Sequence, residues 1–340
     1  MVQLGSCMLT TRMHSPPEAT AQASMIGSPA RLDVGTGRAL IRTLRPHQWV
    51  KNAFVLAPIV FRKGLILTTA QGPALNLNVT GRALAAAGVF CLLAGAVYTI
   101  NDLVDVESDR CHPVKRERPI ASGQVSQPMA RTMAAGLAVV SLGIAYALGT
   151  AFVAVAVLYF VQNLAYSFKL KQVAFLDVGM IALGFVFRVL AGGIATDVHV
   201  SGYMLACTAL LALFLGFGKR RHELALGDAG KQRASLRAYS VRSLNWAMGL
   251  TGAATALTYA AYTIDPATCA AFNSHRLWLT VPFTVFGIVR FLSLVSGRVG
   301  RGLRAESPTQ EMLSDVPFVL NLVIWVVVMG AIVYQLRPNA

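Results

Sequence analysis

The stretch Arg82–Ile100 reads RALAAAGVFCLLAGAVYTI, and it runs without a break into Asn101–Asp109, NDLVDVESD. The first part is long and apolar enough to cross a bilayer as a helix. The second continues that helix into a cluster of acids. With about 100° of rotation per residue, Asp102, Asp105 and Asp109 stand at i, i+3 and i+7 and fall within about 60° of one another. Glu107 points elsewhere. Three carboxylates on one helix face repel each other, which costs stability unless a cation neutralises them. Oxygen-only ligands of this kind suit Mg²⁺, which keeps waters and binds through a few carboxylates plus substrate phosphates. A solvated acidic loop is the plainer alternative. It does not explain why the acids emerge straight from an apolar span on one face.

Working outward, further apolar stretches of spanning length recur. They lie at about 49–67, 129–148, 151–168, 175–194, 202–218, 244–264, 277–295 and 316–336, which with 82–100 makes nine. Open sheet edges have no partners in lipid, so the expected fold is all-α: a polytopic membrane bundle of about nine transmembrane helices. The long continuous apolar runs do not show the alternation of a β-barrel. Composition agrees. Of the 340 residues 55% are hydrophobic and 13% charged, against roughly 25% charged in soluble proteins. Five widely spaced cysteines with no CxxC pair argue against disulfides and zinc. Residues 1–38 are polar and rich in Ser, Pro and Thr, with no apolar core of a secretory signal. They read as a disordered leader, in which Met13 and Met25 leave room for a later start, ahead of an intramembrane domain over 39–340.

The formal net charge is +15. With the N-terminus placed in the cytoplasm, 24 of the 30 Lys and Arg fall on that side and five on the other, with Arg188 inside a span. The positive-inside rule therefore predicts N-terminus in and C-terminus out. This sidedness argues against a nucleic-acid partner. Arg188 lies nearer the outer end of its span, where snorkelling competes with a functional role. Its distance from Asp177, about 16 Å along the helix, forbids a direct pair.

The residues after the acids are HPVKRERPIASG, from His112 to Gly123. Cations directly beyond a carboxylate face suit a metal-bridged polyphosphate, the carboxylates holding the metal and Lys or Arg the free phosphate oxygens. A positive-inside anchor alone would explain the cations but not the acids.

The Asn101–Asp109 block resembles the first aspartate-rich motif, NDxxDxxxD, of the UbiA-type intramembrane prenyltransferase superfamily. A narrower resemblance is to its decaprenyl-phosphate phosphoribosyltransferases. It rests on RPHQWVKN (Arg45–Asn52), on the first block with Arg110, His112, Pro113, Lys115, Arg118 and Pro119, and on YSFKLK (Tyr166–Lys171) followed by Asp177. It also rests on KRRHE (Lys219–Glu223), on Arg233, Leu236 and Tyr239, and on Glu311–Asp315. Together these run from Arg45 to Asp315.

The resemblance implies a bacterial plasma-membrane enzyme with a cytoplasmic active site. Its implied reaction transfers 5-phosphoribose from phosphoribosyl pyrophosphate to decaprenyl phosphate, with Mg²⁺, and the product serves cell-wall arabinan. The superfamily's usual second motif, DxxxD, is reduced here to Asp177 with lysines upstream, which favours a lysine-assisted phosphate site over a second carboxylate metal site. On this basis Asp102, Asp105 and Asp109 are expected to hold the metal, and Asp177, Tyr166 and Lys171 to complete the catalytic set. Asn101, His112, Lys115, Arg118, Lys219, Arg220 and Glu223 are expected to bind substrate. Lys51 and Asn52 are placed to meet a phosphate at headgroup level. His112 has a local hydrogen-bonding role as its alternative, and Tyr166 a place in an aromatic belt. Only the LK match favours Lys171 over Lys169.

The reaction fits the residue types. The lipid phosphate is already anionic, so no strong base is required, and no Ser/His/Asp or Cys/His arrangement is evident. Neutralisation of the leaving pyrophosphate and positioning of the nucleophile are what remain. The polyprenyl tail is expected between helices or at the lipid boundary, although Gly and Ala also serve close helix packing. Two alternatives are an aromatic prenyltransferase using a prenyl diphosphate and a transporter. Charged motifs crowded at one membrane face argue against the second. The sequence leaves the oligomeric state open, a homo-oligomer included.

Overall fold

The computed structural model describes residues 34–61, 66–69, 72–225, 234–297, 312 and 314–334. The chain begins with α1 (Val34–Thr43), a 3₁₀ segment (Pro46–Leu56) and a short α2 (Ala57–Phe61). An antiparallel hairpin follows, β1 (Ile66–Thr69) with β2 (Gly72–Leu75), paired Ile66 to Leu75 through Thr69 to Gly72. The bundle is then built from α3 (Leu77–Val104), α4 (Val106–Arg110), α5 (Gln127–Leu148), α6 (Thr150–Phe168), α7 (Leu176–Thr196) and α8 (Gly202–Ala225). It is completed by α9 (Val241–Ile264), α10 (Pro266–Phe272), α11 (Val281–Gly297) and α12 (Val316–Tyr334).

The all-α membrane bundle is as the sequence predicts, while the count of nine spans is not confirmed. Among the described residues seven helices are long and apolar enough to cross a membrane. The expected span at 244–264 does form a helix, α9, but Ser243, Asn245, Thr251, Thr255 and Thr258 dilute its hydropathy. The expected first span, at 49–67, is the 3₁₀ segment, α2 and then strand. Pro58 lacks a donor, Val55, Ile59 and Val60 are β-branched, and Arg62, Lys63 and Gly64 end the apolar run. Of the leader, 1–33 lie outside the described residues, and 34–38 open α1.

Four sets of packed residues hold the described bundle, two of them around the site. Val55, Phe90, Leu93, Phe152, Tyr159 and Ala191 join the 3₁₀ segment to α3, α6 and α7. Val178, Phe214, Leu244, Met248 and Phe291 join α7, α8, α9 and α11. Val139, Tyr146, Trp246, Leu250, Leu257 and Val327 are exposed, as a lipid-facing surface requires. Buried hydroxyls turn back to their own helix: Thr99, Thr196 and Thr208 donate to the carbonyls four residues earlier.

One glycine sets the position of the 3₁₀ segment. At Gly192 of α7 an added Cβ would stand 1.9 Å from the Val55 carbonyl oxygen, so any side chain there would push that segment away. Successive long helices run up and down. The C-terminus of α3, the α6–α7 connection and the C-terminus of α8 therefore meet at one end. At the other, Arg82 Nε donates to the Ala195 carbonyl at 2.6 Å and Nη2 to that of Leu148 at 3.3 Å, tying the start of α3 to the ends of α7 and α5.

Candidate active site

The acid block lies where α3 gives way to α4. Asp105 has φ −92° and ψ 6°, which ends α3, but its N–H donates to Asn101 O at 2.9 Å, and Asp109 N–H donates to Asp105 O at 2.8 Å. Helical spacing thus carries across the step. Asp102 and Asp109 are brought together: Arg118 Nη1 donates to Asp102 Oδ1 at 3.1 Å and to Asp109 Oδ2 at 2.6 Å. Arg45 Nη2 donates to Asp102 Oδ1 at 2.5 Å, and its guanidinium lies over the Tyr98 ring, 5.1 Å from the centroid. Both carboxylates are buried, while the two arginines remain about a quarter exposed.

Asp105 turns the other way. Lys171 Nζ donates to its two oxygens at 2.6 and 2.8 Å and to Asn101 Oδ1 at 3.4 Å. Asn101 Nδ2 donates to Asp105 Oδ2 at 3.2 Å. The expected single three-acid face is therefore a pair plus one. Asp102 and Asp109 nearly eclipse, and the remaining offset, with the break at Asp105, points the third acid at the α6–α7 connection. Among the described residues no three His, Cys, Asp or Glu converge on one metal position. The donor set is still hard oxygen, which suits Mg²⁺ shared with substrate phosphates better than an all-protein cage. The pairing also separates the two lysines. Lys171 holds Asp105, while Lys169 is exposed.

A second cluster forms behind the first. Asp177 is fully buried at the start of α7. Its Oδ1 accepts from Tyr239 Oη at 2.6 Å and from Val178 N at 2.9 Å. Its Oδ2 is 2.7 Å from Arg220 Nε, but that N–H is not directed at the oxygen, so the contact is one of charge. Arg220 Nη1 donates to Glu223, whose other oxygen is 3.9 Å from Lys219 Nζ. Asp177, expected among the catalytic residues, is thus sealed beneath Arg220 and positions it. Tyr166 stands at the end of α6, half-buried, at the same end of the bundle as both clusters.

Tyr239 was visible in the sequence only as part of a motif. Its hydroxyl also accepts from Phe175 N at 2.6 Å, where Phe175 stands at φ 65° and stacks on the Tyr239 ring with centroids 4.9 Å apart. Burial and the bond to Asp177 push the Tyr239 phenol upward. It ties the α8–α9 connection to the α6–α7 connection that carries Lys171.

Three expected residues find other surroundings. Asn52 is buried, its Oδ1 accepting from Arg188 Nε at 2.8 Å and its Nδ2 contacting Cys91 Sγ at 3.2 Å. Its amide therefore faces the protein interior, not a headgroup. Arg188 does not snorkel. It is buried, with Nη1 on Gly184 O at 2.9 Å, Nη2 on Tyr159 Oη at 2.8 Å, and its guanidinium 4.8 Å from the Tyr159 ring centroid. His112 Nδ1 accepts from the Val114 and Lys115 N–H groups, each at 3.2 Å, which is its local turn-forming role. Lys51 lies beside Asn52, and burial with the cations Lys219, Arg188 and Arg45 pulls its ammonium down to about 8.

The profile of the UbiA prenyltransferase family matches residues 56–305. The chain belongs to that family. A decaprenyl-phosphate phosphoribosyltransferase from Mycolicibacterium smegmatis is 34% identical over 336 residues, covering 96% of this chain and 99% of the relative. One from Mycobacterium tuberculosis is 34% identical over 311 residues, 90% of this chain and 96% of the relative. The solved structure of a UbiA homolog from Archaeoglobus fulgidus bound to GPP and Mg²⁺ shares the fold, with a TM-score of 0.63 over 87% of this chain and 99% of that one, at 17% identity.

Proposed function

We propose that this chain transfers the 5-phosphoribosyl group of phosphoribosyl pyrophosphate to decaprenyl phosphate and releases pyrophosphate. The observation that carries the reading is an acid cluster already interleaved with Arg45, Arg118 and Lys171. The near full-length identity to relatives of that name supports it. When a phosphate group arrives, each of these cations has a second acceptor within reach, so it can move from carboxylate to phosphate without losing a partner. Asp102, Asp105 and Asp109, with Asn101, would hold Mg²⁺ on the pyrophosphate, where the ion neutralises developing negative charge.

Lys115 and Arg118 then serve pyrophosphate oxygens, and Lys171 with Tyr166 faces the sugar side. Lys219, Arg220 and Glu223 flank the site from α8, with Asp177 and Tyr239 fixing Arg220 from below. The nucleophile needs no deprotonation, so the chain's task is to hold an anionic phosphate against C1 while the bond to pyrophosphate breaks. The topology in this reading is N-terminus in and C-terminus out in a bacterial plasma membrane, with the site facing the cytoplasm and the product feeding cell-wall arabinan.

The test is incubation of the purified chain in lipid nanodiscs with labelled phosphoribosyl pyrophosphate, polyprenyl phosphate and Mg²⁺. A labelled phosphoribosyl lipid is expected. Its absence, with label instead entering no lipid under any divalent ion, sinks the reading.

A further inference from the structure

Charges at this end of the bundle are mostly matched. Asp102 and Asp109 share Arg118 and Arg45, Asp105 holds Lys171, and Asp177 and Glu223 hold Arg220. Two cations outside this pairing belong to the 3₁₀ segment and its contact with α7. Lys51 has no acceptor among the described residues, and the charges acting on it are Lys219, Arg188 and Arg45. Arg188 is 6% exposed, and its three hydrogen bonds go to neutral oxygens, those of Asn52, Gly184 and Tyr159. Buried charge in a membrane protein normally has a partner, and its lack marks a place where an anion belongs.

We propose that Lys51, with Arg188 fixed behind it, receives the phosphate of the lipid acceptor. The inference rests on the reaction proposed above. A phosphate monoester carries one to two negative charges, which suits the Lys51 ammonium with the Arg188 guanidinium behind it. Two phosphates could claim this place, that of the lipid and the 5-phosphate of the sugar donor. The neighbouring surface favours the lipid. Residues three apart eclipse on a 3₁₀ helix, so Lys51 and Phe54 share a face. Phe54 lines a cavity of about 210 Å³ whose other walls include Cys207, Leu211, Tyr259 and Trp325. A lysine one 3₁₀ turn from a residue that lines an apolar hollow fits an isoprenoid phosphate better than a hydroxylated sugar. Arg118 and Lys171 are held by the acids, which leaves them to the pyrophosphate.

Arg188 acts here as a positioning residue. Its Nε holds Asn52, the neighbour of Lys51, and Gly192 one turn later lets the Val55 carbonyl sit against α7. Together they fix the height of the 3₁₀ segment, and with it the Lys51 ammonium.

The test compares wild type, Lys51→Met, Lys51→Arg and Arg188→Gln in nanodiscs. Loss of a charge-assisted bond predicts that Lys51→Met raises KM for polyprenyl phosphate by about 10- to 100-fold. KM for phosphoribosyl pyrophosphate stays close to wild type. Lys51→Arg recovers most of the lipid affinity, and Arg188→Gln raises the same KM by a smaller factor. Equilibrium binding of farnesyl phosphate, farnesol and inorganic phosphate reads the site without turnover. Wild type prefers farnesyl phosphate to both, and Lys51→Met loses the preference over farnesol. Because an unmatched buried cation is removed, Lys51→Met melts no earlier than wild type, and failure to fold counts against the proposal. A rise in the sugar donor's KM alone assigns Lys51 to the 5-phosphate and overturns it, as does no change in either KM. If wild type forms no phosphoribosyl lipid, the reaction is wrong, and the farnesyl phosphate comparison still decides the site.

Discussion

Arg118→Met removes the one guanidinium that serves both buried acids of the first cluster. Its bond to Asp109 is short, at 2.6 Å, and that to Asp102 longer, at 3.1 Å. A charge-assisted hydrogen bond contributes about 1.5–3 kcal/mol, and the arginine keeps part of its surface in solvent, so the lower half of that range applies to the short bond. The long bond adds about 1 kcal/mol, since Asp102 retains Arg45. The total loss is therefore about 3 kcal/mol, most of it the cost of leaving Asp109 buried without a counter-charge. Asp109→Asn in the Arg118→Met background removes that orphaned charge and should restore about 2 kcal/mol. Activity stays lost in both single variants and the double variant, because neither the cation nor the acid is present together. Chemical unfolding in detergent micelles, run as a double-mutant cycle, measures the coupling. Additive losses, with Asp109→Asn giving no recovery in the Arg118→Met protein, would falsify the pairing as the reason these acids tolerate burial.

Tyr239→Phe removes the donor to Asp177 and the acceptor for the strained Phe175 amide. A stability loss of about 1–3 kcal/mol is expected with a drop in kcat larger than any rise in KM, read by unfolding and steady-state rates together. The pH dependence of the lipid KM follows from Lys51. Its ammonium is charged below about 8 and neutral above it in the free protein, so KM for polyprenyl phosphate rises as pH increases past about 8. Lys51→Arg should abolish that limb, and its persistence there would assign the limb to another group. The corresponding stability term has the opposite sense. The folded value lies below that of the unfolded chain, so the penalty for the buried charge is full below about 8 and relieved as pH rises toward 10.5. Mn²⁺ binding, followed by its spin-resonance signal, should be weak without phosphoribosyl pyrophosphate and strengthen at least tenfold with it. Equal affinity in both cases would show that the acids hold metal unaided.

The parts of this site legible in the sequence are those set by local periodicity. The i, i+3, i+7 acids, the cations directly after them and the KRRHE run at a helix end need only helical rotation to be placed. What periodicity cannot see is pairing across the chain. Arg45 meets Asp102 across 57 positions, Tyr239 meets Asp177 across 62, and Arg188 meets Asn52 across 136. Asn52, beside Lys51 at the entry of the expected first helix, reads as facing a headgroup. An arginine in the middle of an apolar span needs polar partners, and that need was the one signal pointing to Asn52 and Tyr159. The stretch at 49–67 reads as a span only by its apolar content. Its proline, β-branched residues and closing Arg-Lys-Gly favour the short 3₁₀ and α2 pieces that carry Lys51 to the site.

The pairing of acids with cations bears on how a divalent ion can enter. Arg45, Lys51, Arg118, Lys171, Lys219 and Arg220 face Asp102, Asp105, Asp109, Asp177 and Glu223, and Lys51 leaves the positive charges of this group in excess. A bare ion approaching Asp102, Asp105 and Asp109 has to displace Arg118 and Lys171 and adds positive charge where there is already an excess. The displaced side chains then have nothing to hold. The same ion carried on a pyrophosphate brings net negative charge, and its free oxygens take over the cations it displaces, so each broken bond is replaced by another. The lipid phosphate then meets the part of the surplus that the first substrate leaves, at Lys51. On this argument the arginines and lysines of the acid cluster make metal binding conditional on the donor, and the local excess of cations follows from having two phosphorylated substrates to place.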